Sequence, residues 1–228
     1  MIISTYQPFF APFSGFFIKA YLSDIMVILD DVQFPQRTTW LTRNRFKNEQ
    51  GVLWLSVPVW RKGLGLQPIN KVKICQEGRW RKKHLESLKS SYANAPYFEN
   101  HVEFIERMFS GQFENLIDLN MAIIIYLKEQ LMIDSQIVLL SALDVKGKGN
   151  ELLVNVCRRL KSSDYLAQSS AKKYIDHELF SSSGIRLQFF NQPSPVYPQL
   201  WGEFINNLSA FDLLFNCGKK SHEILCLR

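Results

Sequence analysis

The sequence predicts an α/β fold: a three-layer, Rossmann-like arrangement with a mostly parallel sheet and a small helical subdomain. Three observations predict it. Short β-branched and apolar runs alternate with longer amphipathic segments along the whole chain, the pattern of strand–helix–strand units. The run Ile25-Met26-Val27-Ile28-Leu29 is apolar without a break, as a strand covered on both faces requires. Proline closes the early strand runs at Pro8 and Pro58, since it has no N–H with which to continue a ladder.

The elements follow in order. Residues 2–6 are short, β-branched and aromatic, a strand ended by Gln7-Pro8. Phe13, Phe16, Phe17, Ala20 and Tyr21 then fall at helical spacing, and Ser23-Asp24 ends that helix. The strand at 25–29 delivers Asp30 and Asp31 at its carboxyl end. Residues 37–47 read as a basic loop, and 52–59 as a third strand. Gly63, Gly65 and Pro68 mark a turn region, and 71–75 alternates like a further strand. Helices are expected over 79–92, 97–109, 115–131, 149–160 and 172–180, with strands at 136–140, 164–167 and 186–190. A last helix runs from an N-cap at Ser209 to a C-cap at Gly218. Its Asp212 and Asn216 lie one turn apart and are expected in a hydrogen-bond network. Residues 1–228 are expected to form one α/β domain, with the helical subdomain over 79–131.

Charge is uneven. Residues 1–89 carry 14 Lys and Arg against 6 Asp and Glu, whereas 90–228 carry 13 against 15. The positive field therefore belongs to the first part and draws anionic partners such as nucleotides and sugar phosphates. Nucleic acid is disfavoured: no nucleic-acid motif occurs, and Trp40, Trp54 and Trp80 sit in apolar settings. The longest apolar run, 121–127, is far short of a membrane span. Cys75, Cys157, Cys217 and Cys226 form no CxxC pair, which points to reduced thiols and, with no signal peptide visible, to a cytoplasmic protein. Without HxxxH or HExxH, no zinc site is expected.

The first strands place the candidate site, because ligands of open α/β sheets bind outside the carboxyl ends of strands. Asp30 or Asp31 is the candidate general base or Mg²⁺ ligand, with His84 as a reserve acid/base. Arg43, Arg45, Lys47 and Lys83 are candidate phosphate ligands, because guanidinium forks and ammonium groups suit oxyanions. Gln7 and Asn44 would orient polar substrate groups, and Gly15 lies in the turn where backbone can approach a phosphate. Gln7, Asp30, Asp31, Arg43, Arg45 and His84 are expected to line one pocket.

Several segments together resemble the WbqC-like protein family: QPFFAPFSGFF, SDIMVILDDVQF, NRFK, WLSVPV, WRKKH with SSY and APYF, and LSAFDLLFNCG. They span nearly the whole chain in the family's order. The resemblance implies a place in O-antigen or other surface-polysaccharide synthesis and an aminoacyl, specifically glycine, transferase reaction on an activated sugar. It carries no catalytic residue set. Residues 167–174 depart from the glycine-richer loop usual in similar proteins. The opening strand–turn–helix–strand also resembles the HxGH nucleotidyltransferases, but Phe13 and Phe16 stand where the two histidines would be, so that chemistry is not expected. The partner expected is a phosphorylated or nucleotide-sugar substrate, bound either for transfer or, in the alternative, by a non-catalytic binder. An aminoacyl donor must be activated, so ATP and Mg²⁺ or a charged carrier are called for by chemistry alone. No Walker A sequence is present.

Overall fold

The computed structural model describes residues 1–191 and 193–226. The chain opens with β1 (Ile2–Tyr6), α1 (Ser14–Tyr21) and β2 (Ile25–Ile28), then a hairpin of β3 (Arg43–Asn48) and β4 (Gly51–Ser56). Three helices follow: α2 (Trp80–Tyr92), α3 (Val102–Met108) and α4 (Leu116–Gln130). The second half contains β5 (Gln136–Leu139), α5 (Gly149–Arg159), β6 (Asp164–Gln168), α6 (His177–Ser182), β7 (Arg186–Phe190), α7 (Ala210–Cys217) and α8 (Lys220–Cys226).

Five strands form one parallel sheet in the order β5-β2-β1-β6-β7, flanked by helices, which is the predicted Rossmann-like α/β arrangement. The alternation along each strand divides the core in two. Tyr6, Met26 and Ile28 face the layer that includes Phe16, Phe17, Ile123 and Phe211. Ile3, Val27, Tyr165 and Ala167 face the layer that includes Leu152, Val156 and Phe180. The first layer is continuous from α1 through the hairpin into α2, α3, α4 and α7.

Some elements differ from expectation. Residues 43–48 are not a loop: they pair antiparallel with β4 in a separate two-stranded ribbon, Arg45 opposite Trp54. The stretch near 71–75 makes only isolated bridges, Val59 with Ile74 and Lys73 with Asn115. The helices expected over 97–109 and 172–180 each begin as 3₁₀ turns, Phe98–His101 and Ser169–Tyr174. α8 follows the predicted last helix. Among the described residues no helix is long and apolar enough to cross a membrane.

α7 is held by a buried polar network. Tyr92 donates to one oxygen of Asp212 at 2.7 Å and Tyr197 to the other at 2.9 Å. Burial raises the Asp212 pKa, and the two hydroxyls oppose that rise. The Lys47 backbone N–H donates to Tyr92 Oη at 2.9 Å, so the network ties α7 to the hairpin. Among the described residues Asn216 donates to the Asp212 carbonyl alone, at 2.8 Å. Asp212→Ala leaves two buried hydroxyls without an acceptor and is expected to cost about 2–5 kcal/mol of unfolding free energy. Asn216→Ala is expected to cost about 1 kcal/mol. Urea denaturation of both variants checks the ordering.

Candidate functional site

Strand order reverses at β1: the chain builds outward through β2 to β5, then returns to β6 on the other side of β1. That reversal opens a crevice at the carboxyl ends of the strands. Registered pairing of β1 with β6 stops at Ser4 and Leu166, although β1 continues beside β2 to Tyr6. Two cavities flank the opening. One, of about 710 Å³, is lined by Phe13, Gly15, Trp40, Arg45 and Phe190 among others. The other, of about 460 Å³, is lined by Gln7, Lys19, Gly149, Asn150 and Tyr174 among others. Gln168 lines both, and its Oε1 accepts from the Tyr6 hydroxyl at 3.1 Å.

The β1–α1 loop shapes the first cavity and is tightly held. Ala11 takes a left-handed φ of 43°, a costly conformation for a residue with a Cβ. Its surroundings enforce it. Asn44 donates to the carbonyls of Phe10 and Ala11 at 3.0 and 2.7 Å, and Asn120 to those of Pro8 and Leu41 at 2.7 and 2.8 Å. Arg45 reaches from β3 to the carbonyls of Asn206 and Asn207, at 3.2 and 2.9 Å. Its Nε is buried with no partner among the described residues.

Lys19 is the other cation of the crevice. It is 4% exposed, donates to the Thr5 carbonyl at 3.0 Å, and lies 4.6 Å from the Tyr6 ring centre. Burial lowers its pKa to about 7. Among the described residues no Asp or Glu lines either cavity. The chemistry on offer is thus two cations, amide groups and aromatic walls, an arrangement suited to an anionic ligand with an apolar or ring-bearing portion.

The profile of the WbqC-like protein family matches residues 7–224. The chain belongs to the WbqC-like protein family. It is also 30% identical over 226 residues to the uncharacterized protein Rv1507c of Mycobacterium tuberculosis, covering 98% of this chain and 96% of that relative. No solved structure gives a significant match.

In this WbqC-like chain the cavities take Gly15, Asn44 and Arg45 into the larger and Gln7 into the smaller. The other sequence-predicted residues lie elsewhere. Asp30 is buried, and both its oxygens are occupied, by the Ser141 N–H at 2.9 Å and the Ser141 hydroxyl at 2.6 Å. A carboxylate in that position needs such donors to offset lost hydration. Asp31 is exposed and accepts from the Asn70 amide at 3.1 Å. Arg43 stacks on Trp54, 3.5 Å from its ring centre. Lys47 is buried, and its ammonium bonds Gln199 and the Glu203 carbonyl at 3.1 and 2.6 Å. Lys83 is exposed on α2. His84 Nε2 lies 2.8 Å from the Ser56 carbonyl, and its ring packs against Trp80 and Phe109. Burial lowers its pKa. The structure therefore does not gather the acids and His84 around Gln7.

Sequence reasoning missed Lys19, Gln168, Trp40 and the glycines at the start of α5. Two signals were available. Lys19 is the single charged residue in an otherwise apolar helix, three positions after Phe16. Gly147 and Gly149 punctuate the entry to α5, with φ of 131° and 53°. Asp30→Ala is expected to lower unfolding free energy by about 1–3 kcal/mol, because the Ser141 donors lose their acceptor. A variant as stable as the parent in urea would return Asp30 to the set of free carboxylates.

Proposed function

We propose that this WbqC-like protein is a transferase of surface-polysaccharide (O-antigen) biosynthesis that acts on an activated, phosphate-bearing sugar, with an aminoacyl group, glycyl in the simplest version, as the group transferred. The single observation that carries this reading is the acid-free crevice at the strand-order reversal, with Lys19 and Arg45 as its cations. A phosphoryl group seeks such positive charge. The aromatic walls of the larger cavity, Phe13, Trp40 and Phe190, suit the flat apolar faces of a base or sugar ring. Gln7 and Gln168 carry amides able to orient hydroxyl or amine groups.

In this reading the acceptor amine or hydroxyl attacks the aminoacyl carbonyl. A C–N or C–O bond forms, the bond to the activating group breaks, and that group leaves with its electron pair. Asp31 is the carboxylate we assign to accept the acceptor's proton. It lines neither cavity, but it is exposed, has one amide partner, and adjoins in the chain Val32, which lines the smaller cavity. Asp30 is left in a structural role. ATP and Mg²⁺ would supply activation of the aminoacyl donor. The lining residues lack the carboxylates that Mg²⁺ favours, so the ion would be held chiefly through substrate phosphates.

The same absence of lining acids favours a second reading, a non-catalytic binder of a nucleotide sugar or lipid-linked sugar phosphate. Thermal-shift titration with pyrophosphate, UDP and UDP-sugars, followed by an assay for transfer, separates them. A ligand at one hundred times its Kd is expected to stabilise the parent by about 2.7 kcal/mol, with most of this lost in Arg45→Ala. Asp31→Asn is expected to retain ligand binding and lower turnover at least about tenfold. Stabilisation without turnover selects the binder. No stabilisation by any phosphate-bearing ligand overturns both readings.

A further inference from the structure

We propose that Lys19 and the amino end of α5 together form an oxyanion site, one that takes a phosphoryl group in the smaller of the two cavities. The inference deepens the proposed function, on which it rests, by naming where the substrate's phosphate charge is held.

Two independent features meet in this cavity. The first is a helix start without a cap. α5 has eleven residues, and its Lys148 N-cap position makes no side-chain capping bond, so its leading N–H groups lack that side-chain partner. Gly149 and Asn150 at this end line the cavity. The approach is shaped by glycine: a Cβ at Gly147 would lie 3.1 Å from the Leu152 nitrogen, so the loop folds close over the first turn. Aligned peptide dipoles make such an end mildly positive and receptive to oxyanions.

The second feature is Lys19. Its ammonium is buried, lines the same cavity, uses one donor on the Thr5 carbonyl, and has no anionic partner among the described residues. A buried cation without a counter-charge is costly to the folded protein. A dianion entering between it and α5 supplies the missing charge. Tyr6 from β1, with its pKa raised to about 12, Tyr165 from β6, also raised, and Tyr174 are the titratable side chains lining the cavity. His222 on α8 packs against Tyr21, further along α1.

Burial lowers the Lys19 pKa to about 7, so in the free protein the penalty is full below pH 7. It is relieved as pH rises toward the unfolded value of about 10.4, because the folded state then sheds the proton first. A bound anion reverses this by raising the folded pKa, so binding takes up a proton above pH 7.

Sulfate is the direct probe, because its charge does not change between pH 6 and pH 9, on the order of the range needed. In the intact chain, sulfate and pyrophosphate affinities are measured by calorimetry across that range for the parent and for Lys19→Met. The parent's sulfate affinity is expected to fall as pH rises above 7, approaching about tenfold per pH unit. Lys19→Met is expected to bind at least about tenfold more weakly with a flat pH profile, and to melt at a higher temperature than the unliganded parent at pH 6. The parent measurement needs no variant, so it stands even if Lys19→Met folds poorly. A pH-independent sulfate affinity in the parent, or equal affinity in Lys19→Met, overturns the inference. If UDP-sugar binding survives unchanged in Lys19→Met, the transferase reading stands and the inference alone falls. If the parent binds neither sulfate, pyrophosphate nor UDP-sugar, both fall together.

Discussion

The structure depends on one topological constraint. Parallel strands cannot be joined by tight turns, so each return to the same end of the sheet requires a crossover. With β1 in the middle and the chain winding first to β2 and β5, then back to β6 and β7, the connections that follow the neighbouring strands β1 and β6 depart in opposite directions. The carboxyl ends of β1 and β6 are thereby left uncovered between two departing segments. Early loss of β1–β6 pairing widens that gap. The crevice is thus a product of winding, and the side chains decide only what it can hold.

What it can hold follows from an imbalance of charge. Two cations of the hairpin are engaged internally: Arg43 lies on an indole face, although its Nε too is buried without an acceptor among the described residues, and Lys47 bonds a side-chain amide and a carbonyl near the Asp212 network. Lys19 and Arg45 retain unsatisfied capacity, one as a charge without an anion and the other as a buried Nε without an acceptor. Burying such groups lowers stability, and natural proteins tolerate local cost of this type where a ligand offsets it.

The sheet was legible because its signals are local. The unbroken apolar run at 25–29 could only be a strand covered on both faces, and Pro8 marked where β1 had to stop. The hairpin was not, because Arg43, Arg45 and Lys47 look like a solvated basic loop. Only their pairing with β4 shows that Asn44 and Phe46 turn inward between them. Asp30 was misleading for a related reason. Its partner, Ser141, is 111 residues away, and no spacing along the chain announces that contact. Lys19 resembled an ordinary polar residue of an amphipathic helix. Its position on the Phe16 stripe was readable, but the nature of the wall it met was not.

Asn44 has a mechanical consequence. Its amide bolts the root of the hairpin to the Phe10–Ala11 bend, whereas the far turn, with Glu49 and Gln50, projects into solvent. The ribbon is held at Asn44 and again at Lys47, and only the turn at Glu49 and Gln50 stands clear. A fluorophore attached at that turn would sense movement of the clamped bend from outside, without occupying the space that the bend encloses.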